Sequence, residues 1–263
     1  MGEWYGRAFG VVPIRPVSWS RHPIPGTTAP PMSTRNEFRI PVPHQGVEHV
    51  SAILDTPDGD REPAGVFVLA HGAGAAATSD FLEAVAPRIA DTACLAVLRF
   101  NYAYAELMIR SGKPRPPERR AALDVVQKAV HSHARETYPG LPLIAGGKSL
   151  GGRMASLQVA EGEPADALCF LGYPLHPPGK KDRLRTAHFP DVKAPSLFLQ
   201  GTRDALCDLD LLRPALATYG GKATLHVIED ADHSFSVLKR TARTPEEVLD
   251  ELASTIAAWR KQL

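Results

Sequence analysis

Five residues in the middle of the chain, Gly147-Lys148-Ser149-Leu150-Gly151, set one hydroxyl among small neighbours and fit the pattern G-x-S-x-G. The apolar run LPLIAG precedes them and RMASLQVA follows, so the serine falls where a strand turns into a helix. A serine on so sharp a turn takes strained backbone angles, and side chains two positions to either side would collide; glycine removes them. Gly152 and Ala155 let the helix pack closely. The helix N-terminus lends partial positive charge to a developing anionic oxygen. Such a serine offers nucleophilic attack on a carbonyl, for which it needs a base.

Ten histidines are available, and His233 is the strongest candidate. It lies in Asp230-Ala231-Asp232-His233-Ser234-Phe235, just past the last strand-like run (ATLHVIE), at the carboxyl edge where α/β active sites gather. His226 lies inside that run and reads as packed. A carboxylate between serine and histidine in chain order should orient the imidazole, and Asp204, at the end of LFLQGTRD, supplies it. Asp208 is the rival and also suits a helix cap; Asp230 and Asp232 stand too close to His233 in sequence to be favoured. For the oxyanion, one donor is the backbone N–H of Leu150. The second comes from His71-Gly72-Ala73-Gly74-Ala75, with Ala73 preferred and Gly72 the nearest alternative. His71 reads as a brace for that loop. Asn101, Tyr102 and Tyr104 after the fourth strand, and Tyr173 and His176 after the sixth, are candidates for the substrate pocket. The plainer alternative for the tyrosines is that they pack their loops.

The elements that must hold these residues follow from periodicity. Strand-like runs occupy 37–42, 48–54, 65–70, 94–99, 142–146, 167–173, 196–200 and 223–228. Several are nearly continuous in apolar residues (VFVLA, LAVLRF, LCFLGY), as expected for central parallel strands covered on both faces. Helical patterns lie at 79–91, 117–135, 150–161, 208–219 and 245–261. The last opens Thr244-Pro245-Glu246-Glu247, a capping box with proline at the first helical position. Two antiparallel opening strands followed by alternating strand and helix predict an open α/β sheet.

The chain has 263 residues, 44% of them hydrophobic, enough for one large core, with 30 basic against 29 acidic residues. That balance gives no pull toward nucleic acid or an anionic membrane, and no apolar run suggests a transmembrane helix. Cys94 and Cys169 fall in strand-like runs and Cys207 makes the count odd, which predicts buried free thiols and a cytoplasmic protein. Residues 1–35, with six prolines and a single acid, Glu3, read as a disordered or loosely docked leader ahead of one domain over 36–263. Met32 offers an alternative start.

The phrases HGAGA, RFNYAY, GGKSLGGRMAS, LGYPLHPPGK, LFLQGTRD and DADHSF together resemble the α/β-hydrolase superfamily from about Asn36 to Leu263. More narrowly, the chain is similar to small hydrolases of the dienelactone-hydrolase type, in the branch that includes a subunit of the NSL histone-acetyltransferase complex. The resemblance implies the α/β-hydrolase fold, a mostly parallel eight-stranded sheet flanked by helices, and a Ser149–Asp204–His233 triad. True dienelactone hydrolases carry cysteine where this chain has Ser149, which argues against dienelactone as substrate. The segment 174–195 is too short for a large cap domain, so an open cleft is expected. The leading expectation is an ester- or thioester-cleaving serine hydrolase acting on a small molecule, with neither cofactor nor metal. A peptidase or amidase ranks lower for want of a gating domain. A non-catalytic interaction module is the reading from another class. Basic runs at 179–185 and 110–120 read as solvated loops, the first with a possible pull on an anionic substrate. Lys148 has no role in the motif.

Overall fold

The structure is a computed structural model that describes residues 33–238 and 240–263. The leader expected at 1–35 lies outside these residues up to position 32, and Met32 with it. The sheet starts two residues before the expected boundary. β1 (Thr34–His44) and β2 (Val47–Thr56) form the antiparallel pair foreseen, with Phe38 opposite Ala52. Arg35 already belongs to β1, where its guanidinium meets Glu37 and Glu83.

Six further strands follow: β3 (Val66–Ala70), β4 (Ala96–Phe100), β5 (Leu143–Lys148), β6 (Ala167–Leu171), β7 (Ser196–Gly201) and β8 (Ala223–Ile228). The eight form one sheet in the order β1-β2-β4-β3-β5-β6-β7-β8, parallel from β4 onward. Every residue of β3, β4 and β6 is buried, as strands covered on both faces require. The period of two divides them between two cores. Val66, Val68 and Ala70 pack with α3 (Arg120–Thr137) and α4 (Leu150–Ala160). Phe67 and Leu69 pack with α1 (Asp80–Ala93) and α6 (Pro245–Arg260). Each such buried side chain contributes about 1.5–3 kcal/mol, so the two layers dominate the fold's stability.

Local chemistry explains most boundaries. The capping box of α6 is formed: Thr244 Oγ1 accepts from Glu247 N–H and Glu247 Oε2 accepts from Thr244 N–H. Asp208 caps α5 (Leu209–Leu216) by accepting from Asp210 N–H. The helix expected at 117–135 starts later, at Arg120, and the residues before it stay in an exposed connector. Two expectations are corrected. A helix, α2 (Ala103–Ser111), stands where Tyr104 was read in a loop; it is only nine residues long and ends at Gly112 in the left-handed region. Cys94 is not a buried strand residue: it ends α1 at φ 51°, is partly exposed, and donates its thiol to the Glu62 carbonyl. Its left-handed backbone is what turns the chain from α1 into β4. All three cysteines are free. Between β6 and β7 the chain makes only a 3-10 turn at Phe189–Asp191 and builds no cap. No helix among the described residues is long and apolar enough to cross a membrane.

Two wholly buried histidines give the fold a pH dependence of fixed sign. Burial pushes the His131 imidazole down to about 4, and Arg135 adds to the effect. Burial holds His71 at about 4 as well. Unfolded, both rings titrate near 6.5, so the unfolded chain binds more protons between about 4 and 6.5 and stability falls as pH drops through that window. Neither ring nitrogen of His131 has a hydrogen-bond partner among the described residues. His131→Leu should therefore lose about 1–2 kcal/mol less stability than the wild type between pH 7 and pH 5, read as urea midpoints at both pH values. Parallel losses in the two proteins would refute the assignment.

Candidate active site

The turn from β5 into α4 is built by close backbone approach. A Cβ on Gly147, whose φ is +149°, would lie 2.2 Å from the Ala70 carbonyl oxygen, and one on Gly151 would lie 2.6 Å from Ala70 Cβ. Strand β3 thus passes directly beneath the turn, and only hydrogen fits at those two positions. Between them Ser149 takes φ 50° and ψ −111°, a strained conformation for a residue with a side chain. Its N–H donates to the Leu171 carbonyl of β6 (3.2 Å), which ties the turn to the next strand.

Three side chains from separate loops meet here. Ser149 Oγ lies 2.8 Å from His233 Nε2, and His233 Nδ1 lies 2.7 Å from Asp204 Oδ2. Asp204 can only accept in its other contacts, from Leu206 N–H at Oδ1 (2.7 Å) and Gln200 Nε2 at Oδ2 (2.5 Å). The proton of a neutral imidazole therefore belongs on Nδ1, and Nε2 presents its lone pair to the serine hydroxyl. Gln200 was not anticipated. It lies wholly buried in β7, and its Oε1 takes the Tyr173 N–H (2.9 Å), so it joins the ends of β6 and β7 to the carboxylate. The signal was there: one amide directly after the apolar run Leu197-Phe198-Leu199.

Lys148, left without a role by the motif, occupies the floor of this group. Its Nζ donates to the His233 carbonyl (2.5 Å) and stands 5.5 Å from the centre of the Phe235 ring. Burial pushes its ammonium down to about 8, against the opposing pull of Asp204 and Asp232. Asp232 holds the same turn from outside, its Oδ1 accepting from Ser234 and Ser236 N–H. The loop carrying His233 is thus fixed from two sides.

Across from the serine runs the loop after β3. A Cβ on Gly72 would sit 3.6 Å from Ser149 Cβ, so this loop is the serine's direct neighbour. His71 Nε2 accepts the Tyr102 N–H (3.1 Å), which puts its proton on Nδ1, and Nδ1 donates to the Gly72 carbonyl (2.8 Å). Tyr104 Oη donates to the same oxygen (3.2 Å), as does Ala75 N–H (3.3 Å). Three donors thus draw the Gly72 carbonyl into the protein. In a trans peptide the N–H points opposite to the C=O, so Ala73 N–H is turned outward, on an exposed residue. Leu150, first residue of α4, has an amide without an intrahelical acceptor.

The far end of that loop is pinned at Ala77. Asn101 Oδ1 accepts Ala77 N–H (2.7 Å), and Arg99 Nη1 donates to its carbonyl (2.8 Å). Arg99 is wholly buried in β4 and is compensated by Asp55 (Nε to Oδ2, 2.9 Å) and Glu83 (2.7 Å). Removing one partner of such a buried pair typically costs about 3–5 kcal/mol.

The residues proposed for the pocket are all buried. Asn101 and Tyr104 brace the loop just described, and Tyr102 Oη donates to Gln127 (2.6 Å). Tyr173 Oη donates to the Arg185 carbonyl (3.0 Å), and His176 Nδ1 faces the Pro177 carbonyl (3.0 Å). Each of these contacts is made within the protein: Asn101, Tyr104 and Tyr173 brace loops, and Tyr102 reaches α3. Of the other candidates, His226 is engaged with Glu251 (2.8 Å), and Asp208 with Lys181 (2.6 Å) as well as its helix. Asp230, at φ 58°, shapes the turn after β8 and accepts Arg203 Nη1 at its carbonyl. None of the three touches Ser149.

Known proteins share this architecture. A dienelactone hydrolase from Anabaena variabilis superposes with a TM-score of 0.65 at 22% identity, over 88% of this chain and 98% of that one. An α/β serine hydrolase without a lid from Xanthomonas campestris gives 0.60 at 20% identity, over 90% and 98%. A cold-adapted esterase from an Arctic intertidal metagenomic library gives 0.60 at 16% identity, over 86% and 94%. At these identities the likeness is one of fold. Residues 63–261 match the family described as an alpha/beta hydrolase domain. By that match over most of its length, the chain belongs to the α/β-hydrolase family.

Proposed function

We propose that the protein is a serine hydrolase that cleaves a carboxylic ester or thioester through an acyl-enzyme on Ser149. The observation that carries this reading is the continuous hydrogen-bond chain Ser149–His233–Asp204, at 2.8 and 2.7 Å, with the serine on a strained turn. His233 Nε2 takes the hydroxyl proton as Oγ attacks the carbonyl carbon, and Asp204 stabilises the imidazolium that forms. The oxyanion is received by the Leu150 and Ala73 amides. His233 returns the proton to the leaving alcohol or thiol. A water then repeats the sequence on the acyl-enzyme, releasing the acid and restoring Ser149. Gln200 keeps the carboxylate in place, and His71 with Tyr104 keeps the Ala73 amide turned outward. Family membership and fold support hydrolase chemistry in general. The ester specificity and the cytoplasmic setting, the latter supported by three unpaired cysteines, belong to this proposal.

A fluorophosphonate probe should form an adduct at Ser149, and Ser149→Ala should lose the label and at least about 10⁴-fold in turnover of p-nitrophenyl esters. Asp204→Asn should lose about 10³-fold. A folded Ser149→Ala protein with wild-type activity would remove the central assignment. Lys148→Met leaves the His233 carbonyl without its donor and should lower kcat about tenfold with KM within about twofold, since the lysine holds the base and not the substrate. A change confined to KM would exclude that role. Tyr104→Phe removes one of three donors to the Gly72 carbonyl and should lower kcat/KM about three- to tenfold, measured on the same esters.

A further inference from the structure

Beside the serine lies a group of cations that the catalytic reading does not use. Arg153 is the fourth residue of α4, and its N–H donates to the Ser149 carbonyl (3.1 Å), one helical turn back. Residues four apart on a helix share a face, which sets Arg153 on the same face of α4 as Ser149, one turn on. Arg185 belongs to the segment after β6. Its N–H donates to the Leu175 carbonyl (2.7 Å) and its own carbonyl accepts Tyr173 Oη. That segment leaves the sheet at Gly172, where a Cβ would lie 3.4 Å from the His233 carbonyl oxygen. The two arginines thus stand on the two elements that flank the Ser149–His233 pair.

A hydrogen-bonded bridge joins them. Ser156 Oγ donates to the Arg153 carbonyl (2.8 Å) and contacts His188 Nε2 (2.8 Å), which in turn lies 3.5 Å from Tyr173 Oη, the donor to Arg185. What is missing is an acid. Arg153 Nε is buried without any partner, and Arg185 reaches only the Pro174 carbonyl, at 3.5 Å. Neither has a carboxylate partner among the described residues. Glu161, which faces His188 across the group, is already held by Arg120 (2.5 Å), and Asp191 is the other acid on that side. Burial first, and then the charge of Arg153, lower the Arg185 pKa; burial and the charges of Arg153 and Arg120 push His188 down to about 4. Two guanidinium groups whose charges oppose each other, with no carboxylate partner among the described residues and one buried donor left unsatisfied, are unfavourable together and complementary to an anion.

Resting on the reading of Ser149 as nucleophile, we propose that Arg153 and Arg185 form a phosphate-binding subsite, so that the substrate is an ester carrying a phosphate group a few bonds from the scissile carbonyl. The charge argues for phosphate: two unpaired guanidinium groups match a phosphomonoester, which bears about −1.5 to −2 at neutral pH, better than a single carboxylate. The spacing argues for a short linker, since one helical turn, about 5–6 Å, separates Arg153 from Ser149 along the axis of α4.

Matched esters test this on the wild-type enzyme at pH 7.5: 1-butyrylglycerol and 1-butyrylglycerol 3-phosphate, which share one scissile bond. The phosphate ester should show a kcat/KM at least about tenfold higher, and inorganic phosphate should inhibit hydrolysis of the neutral ester competitively, more strongly than glutarate or chloride at equal ionic strength. In Arg153→Gln and in Arg185→Gln the ratio of the two kcat/KM values should fall about fivefold or more. Equal kcat/KM on the two esters without inhibition by phosphate overturns the subsite while leaving the serine hydrolase intact, as does glutarate outcompeting phosphate. Failure of both esters together with absence of a fluorophosphonate adduct on Ser149 overturns the underlying reading and the subsite with it.

Discussion

Everything at the candidate site depends on how closely strand β3 passes beneath the turn from β5 into α4. Where the Gly147 and Gly151 hydrogens face Ala70, no larger group fits. The contact forces Ser149 into a left-handed backbone that a free chain would avoid, at a cost of about 1–3 kcal/mol. That strain is maintained because the parallel ladders on both sides, and the N–H bond from Ser149 to Leu171, over-determine the turn. In return the hydroxyl projects from the edge of the sheet at the start of a helix, the one place where a strand-borne residue can face both a neighbouring loop and a helix N-terminus.

The polar groups around it show a consistent division. Among the described residues His233 alone hydrogen-bonds the serine hydroxyl through its side chain; most of the other polar side chains act on backbone carbonyls. Lys148 holds the carbonyl of His233, His71 and Tyr104 hold that of Gly72, and Arg99 holds that of Ala77. Loops have no ladder to keep them in register, so a buried donor on each carbonyl substitutes for one. The price is charge in the interior: Arg99 and Lys148 must be desolvated, and Asp55, Glu83 and Asp204 offset part of that penalty. The Arg153–Arg185 group differs because neither guanidinium has a carboxylate partner among the described residues, the ground on which it is proposed as a place for a ligand.

Much of this was legible beforehand. Nearly continuous apolar runs marked β3, β4 and β6, because strands covered on both faces admit a polar residue only where buried partners compensate it, as Asp55 and Glu83 do for Arg99 in β4. Thr244-Pro245-Glu246-Glu247 marked the start of α6, because capping is a local interaction between residues three apart. Chain order and position after a strand singled out Ser149, Asp204 and His233, which the fold brings within hydrogen-bond distance. Helix α2 was hidden: nine residues leave too few turns for a period to stand out, and its tyrosines looked like loop residues. Cys94 was misread for a related reason, since an apolar run does not reveal that its first residue turns in the left-handed region.

By itself, then, the sequence determined what is local or periodic: which segments become strands and helices, which glycines must flank the serine, and the order in which hydroxyl, carboxylate and imidazole appear. Tertiary structure decided between the candidates that chain order had ranked, and it set which distant groups pair. Asp204 and not Asp208 faces His233, although four residues separate them, because Asp208 turns away to cap α5. The Ala73 amide is turned outward because His71, Tyr104 and Ala75 converge on the Gly72 carbonyl. Lys148 acquires its partner 85 residues away. Hydrogen bonds act over about 3 Å, and only the folded sheet brings such distant residues that close.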